Sequence, residues 1–517
     1  MTPGQRILLN AIATYGRTIF SMALGLFSSR WILLSLGDID YGLMSVVGSL
    51  IVFVTFLNGI SSTACARFFA LSIGAGDKEE TNWWFNTALS IHVILPIILI
   101  TIGSPIGEWA INNFLSIPFN KLETAHWVFR LSLLSAFFNM SCTPFLSMYT
   151  AKQNIVELSF WGMGLTLCNF IFAWWLTTYN GNSWLLYSFV TVLISIIFAI
   201  MQALRSHSLF PECKINFARW YDKKRINRVF SYAGWTLLGG LGWMMYNQGM
   251  AIVLNKYFPP NQYKSVNSSY TVGSALAGYT QTLSNALMNA FLPEIVSSEG
   301  RGNHNAVIKQ VFRASRFSFF VIVILAIPLC FETEYILKIW LNKPPEFATM
   351  FCRTFLISFL LSRLIGGFDA AICATGKIRE YQITMSIFSI SSVFIAAGII
   401  LIGFGIIGVC GVIITFNLIN IIGSIYFAHK LVNVSVKSWG REILIPSLYV
   451  SVIGISIGIF LKVFLHELQL QPLTTFIINS LTISIITLIA SIKFLIKPEE
   501  RKQMLVLLSR FTNKENR

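Results

Sequence analysis

Charge is what this sequence has least of. Only 12% of its residues are Asp, Glu, Lys or Arg, against 55% hydrophobic residues and a mean hydropathy of +0.67. A soluble domain carries about 25% charged residues. A water-soluble globular chain is therefore excluded, because too little polar side chain is left to cover its surface. Acids are scarcer still, 22 against 38 basic residues. No HExxH zinc helix is present. The eight cysteines (65, 142, 168, 213, 330, 352, 373 and 410) form no CxxC pair and no metal-spaced cluster, so they read as free thiols used as small apolar residues. No cofactor and no metal site is expected. No cleavable signal peptide is expected either, since "MTPGQRILLN" runs into an apolar stretch too long for a signal core.

What is abundant is long apolar stretches. About 20 residues rising 1.5 Å each cross the roughly 30 Å of hydrocarbon in a bilayer. Fourteen segments qualify, near 8–36, 42–73, 84–112, 126–150, 158–178, 183–205, 229–256, 264–296, 313–338, 348–374, 380–402, 405–429, 442–464 and 473–496. The expected fold class is thus an all-α polytopic membrane protein with about 14 transmembrane helices.

Basic residues orient it. With the N-terminus inside, the inner flanks hold 26 Lys and Arg and the outer flanks six, the bias expected of cytoplasmic loops. Both termini are then cytoplasmic. The net charge of +16 calls for no nucleic acid, because inner-leaflet lipid and this bias account for it. The basic loop 205–228 reads as a retention and lipid-contact loop.

A shift of 225 residues aligns "VGS" at 47–49 with "VGS" at 272–274, and "TAK" at 150–152 with "TGK" at 375–377. The same shift superimposes the span map, which points to a duplication. Six spans per repeat give two parallel lobes, a standard transporter plan: an N-lobe over 1–225, a C-lobe over 226–435, and an additional pair with a cytoplasmic tail over 436–517.

Six basic residues remain inside spans, all of them arginine: Arg17, Arg30, Arg67, Arg130, Arg353 and Arg363. A charge at the bilayer centre costs about 3 kcal/mol on insertion scales, so such residues face a cavity or a partner. Arg130 and Arg353 lie near outer span ends, where snorkelling explains them. Arg30 lies near Asp38 and Asp40 and reads as an ion pair or as a ligand. Arg67, near an inner span end, reads either as a water-facing residue or as a ligand. Arg17 shares a helical stripe with Asn10, Thr14, Ser21, Ser28 and Ser35, all within about 60°, and Arg30 sits about 220° away. A polar stripe on a spanning helix belongs on a cavity. Arg363 is near the middle of its span, next to "IGGFDAAICATG", and Gly366 and Gly367 can loosen the helix there. Asp369 is off the Arg363 face of a regular helix; it is the candidate for gating or ion coupling.

Asn267, Ser274, Gly278, Gln281, Asn285 and Asn289 form a second stripe. Amides there hydrogen-bond either sugar hydroxyls or neighbouring helices. Asn247 and Gln248 are similar candidates, whereas His92 reads as a packing residue.

"RWILLSLGDIDYGL" at 30–43, with Arg30, Leu36, Gly37, Tyr41 and Gly42 in the pattern, resembles the span 1–2 turn of bacterial polysaccharide flippases. "ACARFFALSIGAGDKEE" at 64–80, with Arg67, Gly74, Gly76 and Asp77, resembles the end of span 2 and its inner loop in the same proteins. These form the oligosaccharide-lipid branch of the multidrug, oligosaccharidyl-lipid and polysaccharide exporter superfamily, which includes the O-antigen flippases. The resemblance implies two six-helix lobes around a cationic cavity, in a bacterial inner-membrane protein that moves an undecaprenyl-diphosphate-linked oligosaccharide between leaflets. It implies that Arg17 and Arg363 hold the diphosphate and that the amides of span 8 meet the glycan. It is compatible with coupling to a proton or sodium gradient and with partner proteins of a polysaccharide export pathway. The first span carries no acid, unlike the cation-binding drug exporters of the superfamily, and this favours an anionic cargo. The alternatives are a peptidoglycan-precursor (lipid II) flippase and a cation-coupled multidrug exporter of the same fold. A membrane glycosyltransferase is disfavoured, because the longest outer loop, 113–125, holds only Glu123 as an acid.

Overall fold

In lipid every backbone polar group must be satisfied within its own segment, so long apolar runs become helices. The computed structural model describes residues 3–501, with some side chains in that range outside the description. Among the described residues there are fifteen α-helices and no strand. Eleven described stretches are long and apolar enough to cross a membrane. The chain is an all-α, multi-pass membrane protein.

The first helix, α1 (Pro3–Gly74), covers the first two expected spans and is broken at Gly37, whose φ of 73° is available to glycine at no steric cost. Next come α2 (Lys78–Trp109), α3 (Phe119–Ala151), α4 (Ile155–Leu176), α5 (Ser183–Leu209) and α6 (Lys223–Tyr257). These six, with the start of α7 (Val266–Gly300) and residues 389–397 of α11 (Arg379–Leu401), form one contact unit. Within it, α1 packs on α3, α4 and α6, and α3 on α5. The turn into α2 uses a second positive-φ glycine, Gly76. Asp77 then caps α2, its Oδ1 accepting from the Glu80 N–H at 2.8 Å.

The remainder of α7 and α11 belongs to the second unit. This unit also holds α8 (His304–Leu341), α9 (Ala348–Ser362), α10 (Phe368–Ala374), α12 (Gly405–Val432), α13 (Val436–Trp439), α14 (Ile445–Glu467) and α15 (Pro472–Ala490). The C-terminal pair packs on α8: Gly454 of α14 leaves room for Ile327 and Thr487, and Gly458 for Phe331.

The basic loop between α5 and α6 is pinned to α2. Asn82 Nδ2 donates to the carbonyls of Glu212 and Lys214, at 2.9 and 2.8 Å. Asn86 Nδ2 donates to Lys214 O at 3.0 Å and Asn86 Oδ1 accepts from the Asn216 N–H at 2.7 Å. Ser90 donates to Trp220 O at 2.6 Å. Two ion pairs add to this, Arg219–Glu79 at 2.7 Å and Lys152–Glu212 at 2.7 Å. Burial of Glu212 opposes its ionisation, but the Lys152 ammonium outweighs that and holds the carboxyl below the usual range.

The second unit has an ionic clasp that its sequence position conceals. Arg316 counts as an inner-flank residue in the sequence, yet it is only 2% exposed. Its guanidinium meets Glu500 at 2.6 Å and Glu442 at 3.3 Å, and Lys497 meets Glu442 at 2.7 Å. The clasp ties α8 to the chain entering α14 and to the chain following α15.

Removing one partner of a buried pair leaves the others uncompensated. Arg316→Ala should therefore cost about 3–5 kcal/mol, seen as a lower unfolding temperature in detergent. Combining Arg316→Met with Glu442→Gln and Glu500→Gln should recover most of that loss. A second expectation concerns pH. The Lys152–Glu212 contribution is complete above the ordinary carboxylate range and disappears as pH falls through the lowered pKa of Glu212. Protease protection of the 210–222 loop should fall below about pH 4. Glu212→Gln should be less protected at neutral pH and lose that acid step.

Candidate functional site

The two deepest candidate arginines lie in different units and are described separately. In the second unit, α9 ends at Ser362 in a single 3-10 turn, Arg363–Ile365, before α10 begins at Phe368. The glycines explain where the break falls. A Cβ on Gly367 would lie 2.9 Å from the Val311 Cα and carbonyl oxygen, so the chain passes directly against α8 there. The exposed backbone groups of the break have partners. The indole N–H of Trp439 donates to Leu364 O at 2.9 Å, and the Gly367 N–H donates to Ser315 Oγ at 3.3 Å. Trp439 and Ser315 were not candidates in the sequence, because both act through tertiary contact.

Arg363 sits on this break and is 8% exposed. Its Nη1 donates to Asn285 Oδ1 at 2.9 Å and its Nε to Ser362 Oγ at 3.3 Å. Among the described residues no carboxylate lies within ion-pair distance of it. Asp369 is turned to other partners, accepting from Cys373 Sγ at 3.8 Å and from the Tyr381 hydroxyl. Asn285 thus belongs with Arg363. Gln281 is half-buried a turn away on α7, and the side chain of Asn289 lies outside the described residues. Asn267, on the same stripe, serves packing: it is buried and donates to Ala251 O at 2.8 Å in the first unit.

In the first unit, Arg17 is half-buried on α1. Its polar stripe faces α4. Asn10 Nδ2 donates to the carbonyl of Gln153, just before α4, at 3.0 Å, and Ser21 Oγ lies 3.2 Å from Thr166 Oγ1. Arg17 passes over Gly162, where a Cβ would come within 2.9 Å of its Cδ. Among the described residues Arg17 has no ion pair and no hydrogen bond. Arg30 is half-buried on the first arm of α1, and Arg67 is exposed on the second. Asp40 is taken by Lys121 at 2.8 Å. Asn247 donates to Trp243 O at 2.8 Å within α6. Near the outer flanks, Arg130 pairs with Glu108 at 2.7 Å and Arg353 with Glu334 at 3.2 Å.

Two short sequence patterns take part in packing. The Asp38-Ile39-Asp40 triplet supplies the Lys121 pair, and "GISIG" at 454–458 supplies the two packing glycines of α14. The eight cysteines are free. Among the described residues no three His, Cys, Asp or Glu are grouped to hold a metal.

A guanidinium carries five N–H donors in a planar fork. Neutral partners satisfy some of them without cancelling the charge. Arg363 with an amide and a hydroxyl, and Arg17 with no carboxylate partner among the described residues, therefore keep a field that favours phosphate or carboxylate.

No family model matches the sequence, and no curated protein matches it. Solved structures do match in fold. "Lipid II flippase MurJ, inward closed conformation" superimposes with a TM-score of 0.67 at 16% identity, covering 94% of this chain and 98% of that one. MATE in complex with MaD3S gives 0.61 at 14% identity, covering 83% and 96%. A MOP superfamily transporter from Pyrococcus furiosus gives 0.61 at 13%, covering 84% and 98%. The chain is similar to all three along most of its length and has their fold.

The break at 363–367 should be sensitive at particular atoms. Gly367→Ala drives a methyl into the Val311 backbone and should cost about 1–3 kcal/mol. Gly366→Ala meets only ordinary contacts at 3.4 Å, to Arg363 O and Met288 Sδ, and should cost much less. Trp439→Phe should lose about 1–3 kcal/mol by stranding the Leu364 carbonyl. Thermal unfolding of the three variants in one detergent ranks them.

Proposed function

We propose that this protein is a transporter of the bacterial inner membrane, with both termini cytoplasmic, that moves an undecaprenyl-diphosphate-linked oligosaccharide between leaflets. The observation that carries this reading is Arg363, a buried guanidinium whose described partners are an amide and a hydroxyl rather than a carboxylate. Holding an unneutralised cation in a membrane protein is costly, and an anionic cargo repays that cost when it binds. Arg17, also without an ion pair among the described residues, supports the same charge logic. Asn285 positions Arg363 and, with Gln281, Asn289 and Asn247, is the reading's candidate for sugar hydroxyls. Arg30 and Arg67 are assigned a secondary attraction for the headgroup, and Asp369 a gating or ion-coupling role. The cycle is alternating access between the duplicated halves, 1–225 and 226–435, coupled to a proton or sodium gradient.

The fold likeness to MurJ and MATE supports transport as the activity and suits a lipid II flippase equally well, since that cargo also carries a diphosphate. It suits a cation exporter less, because the buried acids Asp40, Glu212 and Glu500 are each paired with a base, whereas the buried Arg363 has no carboxylate partner among the described residues. The test is flipping in proteoliposomes, comparing fluorescent polyprenyl-diphosphate oligosaccharide with lipid II. Arg363→Ala and Arg17→Ala should each slow transport about ten- to hundredfold, the value of one charge-assisted contact, while Arg363→Lys retains part of it. Preference for lipid II would move the assignment to the peptidoglycan-precursor branch. Efflux of a cationic dye with no lipid flipping would overturn the proposal.

A further inference from the structure

A groove of about 920 Å³ opens between α11 and α12, entirely within the second unit. Its volume is in the range of small-ligand sites. Its two ends differ in chemistry. At the mouth, Arg379 and Lys430 flank one carboxylate, Glu380, to which Lys430 Nζ donates at 2.6 Å. Among the described lining residues, two cations stand against one anion. Behind it the walls are apolar: Ile383, Phe388 and Ile419 line the groove, and Ile422 is 68% exposed along it. Gly423 keeps the floor low, since the Met385 side chain already fills the space a Cβ would need.

The dimensions match one leaflet. From Arg379 to Phe388 the helix advances about 13 Å at 1.5 Å per residue, close to half of a hydrocarbon core of about 30 Å. The mouth carries residues that the basic-residue distribution assigns to the inner flank. A positive mouth at headgroup depth over an apolar channel one leaflet long is complementary to an amphiphile with an anionic head and a hydrocarbon chain. Basic pockets between spanning helices at the cytoplasmic face bind anionic headgroups in this manner.

We propose that this groove holds one anionic phospholipid of the inner leaflet, its phosphate at Arg379 and Lys430 and one acyl chain along Ile383, Ile419 and Ile422. The site is separate from Arg363 and is occupied by a resident lipid. It makes the packing of α11 against α12 responsive to the anionic lipid content of the membrane.

The full-length protein is reconstituted in vesicles of equal parts phosphatidylglycerol and phosphatidylethanolamine. One lipid at a time carries a photoreactive diazirine on an acyl chain, and labelled peptides are mapped by mass spectrometry. Phosphatidylglycerol should label α11 and α12 within the groove in preference to phosphatidylethanolamine. Arg379→Gln with Lys430→Gln should lower that labelling about tenfold. Ile422→Trp should block it without altering charge, and because the position is exposed it carries the test if the charge variant fails to fold. Equal labelling by both lipids, or labelling unchanged in the variants, overturns the proposal. Displacement of the label by polyprenyl-diphosphate oligosaccharide also overturns it, because the groove would then belong to the cargo. The lipid preference and its loss in the variants do not depend on which cargo is transported.

Discussion

A guanidinium cannot be discharged, so an arginine buried in a helix bundle must find negative charge, find neutral acceptors, or keep its field. Among the described residues the second unit contains two such arginines, and they are treated differently. Arg316 lies between Glu442 and Glu500, and the pairing draws α8, α14 and the chain after α15 together. Arg363 is nearly as buried, yet it receives an amide and a hydroxyl. Neutralising partners are thus available to this fold and are used where the role is mechanical. Among the described residues none lies around Arg363, so its charge is not cancelled there.

That cation is positioned by a helix that fails to continue. Gly367 lets the chain press on α8, and the resulting break is sealed by Trp439 and Ser315. Irregular backbone at membrane depth is tolerated where protein satisfies its polar groups, and those two side chains meet that condition. The partner that seals the break, Trp439, lies three residues before Glu442 of the clasp. The C-terminal pair is therefore joined to the Arg363 region by an ion cluster and by a hydrogen bond to the break itself.

Much of this was legible in the sequence, for reasons that separate by length scale. The apolar stretches follow from local composition. Gly37 and Gly76 carry the resemblance to polysaccharide flippases and are also the positive-φ residues of their turns, so that part of the pattern reflects turn geometry. The polar stripe of α1 was visible from its spacing, but its facing on α4 was not, because spacing gives a face and not a neighbour. The stripe on α7 likewise does not separate Asn267, which packs, from Asn285, which meets Arg363. Arg316 was illegible for a different reason. Its partners are 126 and 184 residues away, and its flank position made it look like one more basic residue near an inner loop.

The net charge of +16 therefore does not describe the site. Arg219, Arg225, Lys430 and Lys497 lie near helix ends against carboxylates, and pairs that reach solvent in this way are screened and weak. Their effect is to place loops and orient helices. A charge inside the bundle is governed by a lower dielectric, where one guanidinium outweighs several at the surface. On the function proposed above, selection of an anionic cargo over a cationic one rests on a very small number of residues: Arg363, held at a helix break by its neighbours, and Arg17, lying over a glycine that makes room for it.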